Sequence, residues 1–112
     1  MRVAIVGSRS FTDFDLAPYI PDGLTEIVSG GAIGVDTIAR NYAVKHGIKC
    51  REFLPDYERY GKCAPLLRNI DIINYSDRVI VFWDGISNGS KHVIVNCKKL
   101  NKPFEIYMPK KN

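Results

Sequence analysis

The sequence has few of the residues that hold small proteins together covalently or through metals. Its 112 residues include only three cysteines and two histidines. The cysteines, at Cys50, Cys63 and Cys97, form no C-x-x-C pair, and no histidine has more than one of them nearby in the sequence. This spacing argues against a disulfide scaffold and against a zinc site. We therefore expect buried, reduced thiols and neither a metal nor a cofactor.

Long hydrophobic runs are also missing. No apolar stretch approaches the roughly 20 residues of a membrane-spanning helix. The apolar run at residues 3–6 ends at Gly7, too soon for a secretory signal. The sequence also lacks internal repeats, linkers and low-complexity stretches. These absences predict one cytoplasmic domain over residues 1–112, without membrane contact.

An excess of one charge is nearly absent as well. Sixteen basic and twelve acidic residues give a net charge of +4, which suits a phosphate-bearing ligand but is weak support for nucleic-acid binding. Five basic residues lie in the last fifteen positions: Lys98, Lys99, Lys102, Lys110 and Lys111. No aromatic stripe interleaves with them, so we interpret them as a solvated helix face and tail.

The sequence does contain a regular alternation of apolar runs and helical patterns. Strands are predicted at residues 3–6, 24–28, 48–54, 79–83 and 104–108. Helices are predicted at residues 13–20 (a weak pattern), 34–46, 62–75 and 90–100, and residues 55–61 are predicted as a loop. The residues expected to be buried on the last two helices are Cys63, Leu66, Leu67, Ile70 and Ile73, then Val93, Cys97 and Leu100.

Strands that alternate with crossover helices predict a parallel sheet with helices on both faces. The handedness of the crossovers leaves few topologies. The predicted fold class is α/β, a Rossmann-like three-layer sandwich with a five-stranded parallel sheet of order 3-2-1-4-5. Ligands of such folds bind at the carboxyl ends of the strands, where the strand order reverses. That point lies between the first and fourth strands.

Three loops are rich in glycine and serine, and all three follow strands at this edge. They are residues 7–10 (Gly-Ser-Arg-Ser), residues 29–34 (Ser-Gly-Gly-Ala-Ile-Gly) and residues 84–90 (Asp-Gly-Ile-Ser-Asn-Gly-Ser). Glycines allow a close backbone approach, and the first turn of a helix attracts phosphate. We expect an anion on residues 30–34 and a phosphate contact from Arg9 or Arg68. A side chain placed at Gly31 should then block binding.

The second loop matches neither the dinucleotide-binding nor the Walker A pattern. Asp36 lies in the first turn of the following helix, and two roles remain open for it. It either stabilises the helix dipole or accepts a hydrogen bond from a ribose hydroxyl. Two roles also remain open for Arg68, which either contacts a phosphate or only lies at the border of the buried face of its helix. Tyr57 and Tyr60 either stack on a base or pack over the core.

The two glycine motifs resemble those of the SLOG superfamily. Residues 3–9 (Val-Ala-Ile-Val-Gly-Ser-Arg) and 29–36 (Ser-Gly-Gly-Ala-Ile-Gly-Val-Asp) are similar to a motif pair in DprA/Smf proteins. Residues 59–64, with Arg68 and Asn69 downstream, resemble the small stand-alone YspA-type branch. The resemblance covers residues 2–108. It implies a Rossmann-like domain that binds nucleotides or nucleotide-derived ligands.

The same superfamily includes LOG enzymes, which cleave nucleoside monophosphates to the free base and ribose 5-phosphate. Their Pro-Gly-Gly-x-Gly-Thr motif and the glutamate after it are only partly matched here. Gly85, Gly89 and Ser90 fit the motif, but Asp84 replaces a glycine and no glutamate follows. Arg68 matches the arginine that these enzymes place near the phosphoribose. LOG proteins are dimers, which implies a homodimer for this chain.

The sequence therefore supports three functions. The first is a sensor or carrier that binds a nucleoside phosphate or an ADP-ribose-like molecule. The second is a hydrolase of N-glycosidic bonds, with Asp84 or Asp36 as its catalytic carboxylate. The third is a DprA-like accessory protein that binds nucleic acid, which the small size and mild charge disfavour. The candidate ligand-binding residues are Gly7, Ser8, Arg9, Ser29, Gly30, Gly31, Ala32, Gly34, Asp36, Arg68, Asn69, Asp84, Gly85, Gly89 and Ser90.

Overall fold

The computed structural model describes residues 1–109, so Lys110 and Lys111 of the basic tail lie outside the described residues. Within this part of the chain, strands and helices alternate much as the sequence pattern predicts. Their order is β1 (Arg2–Gly7), β2 (Glu26–Ser29), α1 (Val35–His46), β3 (Lys49–Glu52), α2 (Tyr57–Tyr60), α3 (Ala64–Tyr75), β4 (Arg78–Phe82), α4 (Asn88–Lys99) and β5 (Phe104–Tyr107).

The five strands form one parallel sheet of order β3-β2-β1-β4-β5, which confirms the predicted topology. β1 is the central strand, and Val3 pairs with Ile27 of β2 and with Arg78 of β4. The strand order reverses between β1 and β4. The carboxyl ends of β1, β2 and β4 therefore lie side by side, and the three glycine-containing loops leave the sheet there.

Both faces of the sheet are buried, as expected for parallel strands with apolar side chains on each side. One face packs against α1 through Val3, Ile5, Ile27, Val35, Ala39, Ala43, Ile80 and Phe82. The other face packs against α3 and α4 through Ala4, Val6, Val28, Ile72, Ile73, Val79, Val81, Val93, Ile94 and Cys97. The helices that pack against the sheet through these two clusters form the outer layers of the predicted sandwich.

The predicted helix at residues 13–20 is wrong. The structure has only one 3-10 turn there, Ala17–Tyr19, with a proline in its first positions. Phe11, Phe14 and Leu16 are buried instead, and the Phe14 ring lies 4.7 Å from that of Phe82. Aromatic packing against the end of β4 therefore covers this part of the sheet without a helix.

The predicted buried stripe of α3 is also largely wrong. Leu66 and Leu67 are exposed, and Cys63 is an exposed thiol immediately before the helix. The buried residues of α3 are Ala64, Asn69, Ile72 and Ile73. The start of α3 does not cover the sheet: Pro65 and Leu66 border a cavity. The leucines therefore have no sheet beneath them to pack against.

Two smaller differences concern the buried face of α4 and the loop predicted at residues 55–61. Leu100 was expected inside but is exposed, and Ile94 is buried on α4 instead. The predicted loop at residues 55–61 contains the short helix α2, which Asp56 caps by accepting a hydrogen bond from Arg59 N.

Within residues 1–109, no helix has both the length and the apolar character that crossing a membrane requires.

Candidate functional site

A cavity of about 410 Å³ lies at the carboxyl edge of the sheet, between the ends of β1, β2 and β4. Four segments of the chain form its walls. They are the β1 loop (residues 8–10), the α1 loop (residues 30–34), the N-terminal half of α3, and the α4 loop (residues 83–87) with the first turn of α4. The volume is within the range of roughly 300–1,000 Å³ that small-molecule sites occupy.

Most of the candidate residues from the sequence line this one cavity. They are Gly7, Ser8, Arg9, Gly30, Ala32, Asp36, Arg68, Asn69, Asp84, Gly89 and Ser90. Four candidates do not line it: Ser29, Gly31, Gly34 and Gly85. Ser29 is fully buried at the end of β2. The geometry of the three glycines explains their position outside the wall.

Gly34 and Gly7 are glycines because the protein itself comes close to them. A Cβ at Gly34 would lie 3.0 Å from the Cα of Arg9, and the backbone there has a positive φ of 83°. A Cβ at Gly7 would lie 2.5 Å from the carbonyl oxygen of Phe82. The first contact joins the β1 loop to the start of α1, and the second joins β1 to β4. Both glycines therefore serve packing, whatever occupies the cavity.

Gly31 does not line the cavity, although we expected a side chain at this position to block binding. A Cβ at this position would meet Leu54 Cδ2 at 2.6 Å and Glu52 Oε2 at 2.9 Å, both near the end of β3. The residue also has a φ of +69°, which side chains rarely adopt. A larger residue at Gly31 would therefore strain the loop without entering the cavity, so it cannot test for an anion there. Gly85 likewise has a positive φ of 84° and belongs to the turn before α4.

The buried carboxylate of Asp36 forms a hydrogen bond with the backbone of the α1 loop. Its Oδ2 accepts a hydrogen bond from Ala32 N at 3.0 Å, and the side chain is buried. Burial raises the pKa of this carboxyl, although the Ala32 bond and the nearby Arg68 charge work in the opposite direction. A carboxylate of the protein itself therefore already occupies the position where we expected an external anion.

Arg68 reaches from α3 across to the same loop. Its Nη1 donates to Gly30 O at 2.6 Å and to Phe53 O at 3.2 Å, while Nε donates to Asn69 Oδ1 at 3.1 Å. Burial lowers the pKa of the guanidinium. Arg68 thus holds the α1 loop against the residue that follows β3, and Asn69 keeps it there. It lines the cavity and has a structural role at the same time.

The α4 loop is arranged around Asp84. One carboxylate oxygen, Oδ1, accepts from Ile86 N at 2.9 Å and from Ser87 N at 2.8 Å, while Oδ2 accepts from Ser10 Oγ at 3.0 Å. The two backbone bonds lower the pKa of Asp84 to about 2. The carboxylate therefore shapes its own turn and stays ionised over the physiological range.

Ser8 and Ser87 connect the β1 loop with the α4 loop. Their hydroxyl oxygens are 2.8 Å apart, and Ser8 Oγ also accepts a hydrogen bond from Asp84 N at 3.1 Å. Ser87 is the N-cap of α4, yet its side chain makes no capping bond to the helix. The sequence reasoning did not select Ser87, because it began this helix at Ser90, whereas α4 begins at Asn88. A serine directly before a helix start is the signal that identifies such a residue.

The first turn of α4 opens onto the cavity. It has no acidic residue, and both Gly89 and Ser90 line the wall. A Cβ at Gly89 would meet no atom within 4 Å. The first turn of α4, whose N–H groups have no partner within the helix, therefore lies in the cavity wall without an acidic residue of its own. Among the three glycine loops, this is the place best suited to an anion.

The remaining wall is apolar, and the sequence reasoning missed it. Val6, Ile33, Pro65, Leu66, Ile72 and Val93 contribute to it. They belong to β1, the α1 loop, α3 and α4, so no single sequence pattern marks them as one surface. Tyr57 and Tyr60, considered as stacking residues, are exposed and lie outside the wall.

No group of three or more potential metal-ligating side chains converges among residues 1–109. Cys50 is half-buried, Cys97 is buried and Cys63 is exposed, so the prediction of buried thiols fails for Cys63. Trp83 follows β4 and is half-buried, and its Nε1 donates to Ser87 O at 3.0 Å. Trp83 therefore supports the α4 loop from behind.

The fold and the cavity define the class of protein: a Rossmann-like α/β protein with a mixed polar and apolar cavity at the carboxyl edge of its sheet. The family model described as YspA, cpYpsA-related SLOG family matches residues 1–60, which is more than half of the chain. The chain belongs to this family. The matched residues include the β1 loop, the α1 loop and Asp36.

A curated relative extends the similarity along nearly the whole chain. The Gene 61 protein of Mycobacterium phage D29 is 34% identical over an alignment of 116 residues, which covers 91% of this chain and 92% of that protein. No solved structure matches the chain.

Proposed function

We propose that the protein binds a nucleotide or a nucleotide-derived ligand, a nucleoside phosphate or an ADP-ribose-like molecule, as a sensor or carrier. The observation that carries this proposal is the open first turn of α4, which lies in the same cavity wall as Arg9. Membership of a SLOG family is consistent with a nucleotide-related ligand. The ligand's phosphate would lie against Gly89 and Ser90, within reach of Arg9.

The balance of charge in the cavity supports a ligand of mixed character. Two arginines, Arg9 and Arg68, and two aspartates, Asp36 and Asp84, line the same wall. A long polyanion would meet both carboxylates, so this wall disfavours nucleic acid. A ligand with one phosphate end and a neutral sugar and base suits it better, because the apolar residues along α3 can cover a base.

A single carboxylate placed at the start of α4 tests the phosphate position. Gly89→Asp should keep the fold, because its Cβ meets open space and an aspartate in a first helical turn is favourable. The same charge would repel a phosphate a few ångströms away, so affinity should fall about 100-fold. Calorimetric titration with AMP, GMP and ADP-ribose measures the change.

Gly89→Asn is the matched control, because it has nearly the same size without the charge. It should keep most of the affinity that Gly89→Asp loses. Equal binding by the two variants would show that the ligand's phosphate does not lie at the start of α4. Failure of the wild-type protein to bind any of the three nucleotides would overturn the proposal itself.

A second candidate function is hydrolysis of an N-glycosidic bond. It is favoured by the opposite pKa shifts of two carboxyls in one cavity, since burial raises the pKa of Asp36 while turn hydrogen bonds lower that of Asp84 to about 2. Such a division separates an acid from a permanently ionised stabiliser of positive charge. Release of free base from AMP or GMP, followed by chromatography and lost in Asp84→Asn, would establish this activity.

A further inference from the structure

One buried oxygen in the cavity wall has no hydrogen-bond partner. Asp36 exposes only 8% of its surface, and its Oδ2 is bonded to Ala32 N. Its other oxygen, Oδ1, is buried and makes no hydrogen bond to any residue that the structure describes. A buried charged acceptor without a partner is unfavourable, so such an atom in a native protein requires an explanation.

Closing the α1 loop does not explain both oxygens. The hydrogen bond from Ala32 N uses Oδ2, and an asparagine side chain would accept that bond equally well while avoiding a buried charge. Arg68 makes no hydrogen bond to Oδ1: its Nη1 donates to Gly30 O and Phe53 O, and its Nε donates to Asn69 Oδ1. The buried charge of Asp36 therefore goes beyond what the turn requires.

The surroundings of Asp36 select the kind of partner that Oδ1 would take. A phosphate would be repelled by the carboxylate itself. A cation would meet the nearby guanidinium of Arg68, whose charge already acts on Asp36. A neutral donor is left, and the sugar hydroxyls and the N–H groups of the base are the neutral donors of a nucleotide.

We infer that Asp36 Oδ1 accepts a hydrogen bond from a ribose hydroxyl of the ligand, so that the cavity binds a nucleotide lacking that hydroxyl more weakly. This inference rests on the proposed function, because it needs a nucleotide in the cavity. Asp36 lines the cavity, but its Oδ1 is buried, so the carboxylate must rotate about its last torsion for Oδ1 to accept this bond. That torsion is broad and soft in aspartate.

The experiment compares sugars that differ by one hydroxyl. Wild-type protein is titrated with AMP, 2′-deoxy-AMP and 3′-deoxy-AMP, and GMP is treated in the same way. A hydrogen bond to a charged group corresponds to about 10–100-fold in affinity, so at least one deoxy analogue should bind that much more weakly. In Asp36→Asn the ratio should fall to about threefold or less, because the remaining bond is neutral.

Asp71→Asn is the control, since it removes the same charge from the exposed face of α3 and should keep the wild-type ratio. Inosine monophosphate lacks the exocyclic amine of AMP. If its affinity rather than the deoxy analogues' shows the loss, the donor is the base and the inference is wrong.

Equal affinity of the wild type for AMP and both deoxy analogues would also overturn the inference, while nucleotide binding itself would stand. An unchanged ratio in Asp36→Asn would assign the selectivity to another residue. Absence of binding by every nucleotide would remove the proposed function and this inference together. The wild-type comparison needs no variant, so it decides the point even if Asp36→Asn does not fold.

Discussion

The α1 loop and the α4 loop are built from similar residues but present opposite surfaces to the cavity. Each follows a strand, contains glycine, and leads into a helix of 12 residues. An aspartate interacts with each loop. Asp36, in the first turn of α1, is buried and accepts a hydrogen bond from Ala32 N of the α1 loop, and Arg68 donates to Gly30 O. In the α4 loop Asp84 folds back onto its own turn, so the helix start stays open. Glycine-rich composition alone thus does not identify an anion site; the position of the carboxylate decides it.

Two of the glycines that line the cavity, Gly30 and Gly89, should respond oppositely to a methyl group. A Cβ at Gly30 would lie 2.5 Å from Arg68 Nη1, whereas at Gly89 it would meet nothing. Gly30→Ala should displace the guanidinium and destabilise the fold by about 2 kcal/mol. Gly89→Ala should stabilise it by up to about 1 kcal/mol, because alanine is the better helix former. Urea denaturation of both variants measures the difference, and similar values would contradict it.

The two arginines that line the cavity should also differ in how much their replacement changes the free energy of unfolding. Arg68→Lys should destabilise the fold by about 1 kcal/mol, because lysine cannot reach Gly30 O and Phe53 O in the same forked geometry. Arg9 is exposed, so Arg9→Lys should change the free energy of unfolding by less than about 0.5 kcal/mol. Both changes should weaken nucleotide binding. Equal stabilities of the two variants would mean that Arg68 does not secure the α1 loop.

The smallest expected effect is the opposite pH dependence of the two aspartates. Because the folded-state pKa of Asp36 is raised, its contribution to stability is fully present below about pH 4 and lost as the pH rises through the folded pKa. Because that of Asp84 is lowered to about 2, its contribution is present above about pH 4 and lost toward pH 2.

Unfolding free energies at pH 7 and pH 3 therefore distinguish the two residues. Relative to wild type, Asp36→Asn should be more favourable at pH 7 than at pH 3, and Asp84→Asn less favourable. The same direction in both variants would show that the two carboxyls do not differ as described.

The sheet order could be predicted because strands that alternate with helices indicate a parallel sheet, and the handedness of the crossovers leaves few strand orders. The segment at residues 11–20 could not, because the burial of Phe11 and Phe14 depends on Phe82, a partner distant in sequence. The face of α3 was misjudged for a similar reason. Periodicity shows which residues could face a core, but not that a cavity replaces the sheet beneath Leu66.

The site was predictable as a set of loops and not as a set of contacts. Glycines and serines after three strands indicated one edge of the sheet, and that edge does contain the cavity. The inward position of the Asp36 carboxylate depends on the path of the α1 loop, which the sequence pattern does not describe. The same is true of Arg68, whose partners Gly30 and Phe53 lie on other elements.

The close approach of Gly34 to Arg9 has a consequence for how relatives of this protein are found. Since Gly7 and Gly34 are required by the packing of the scaffold, a search guided by these glycines detects an architecture and not a ligand. The family match ends at residue 60, before the start of α4. A match to the first half of the chain therefore identifies this framework and leaves the α4 segment undescribed.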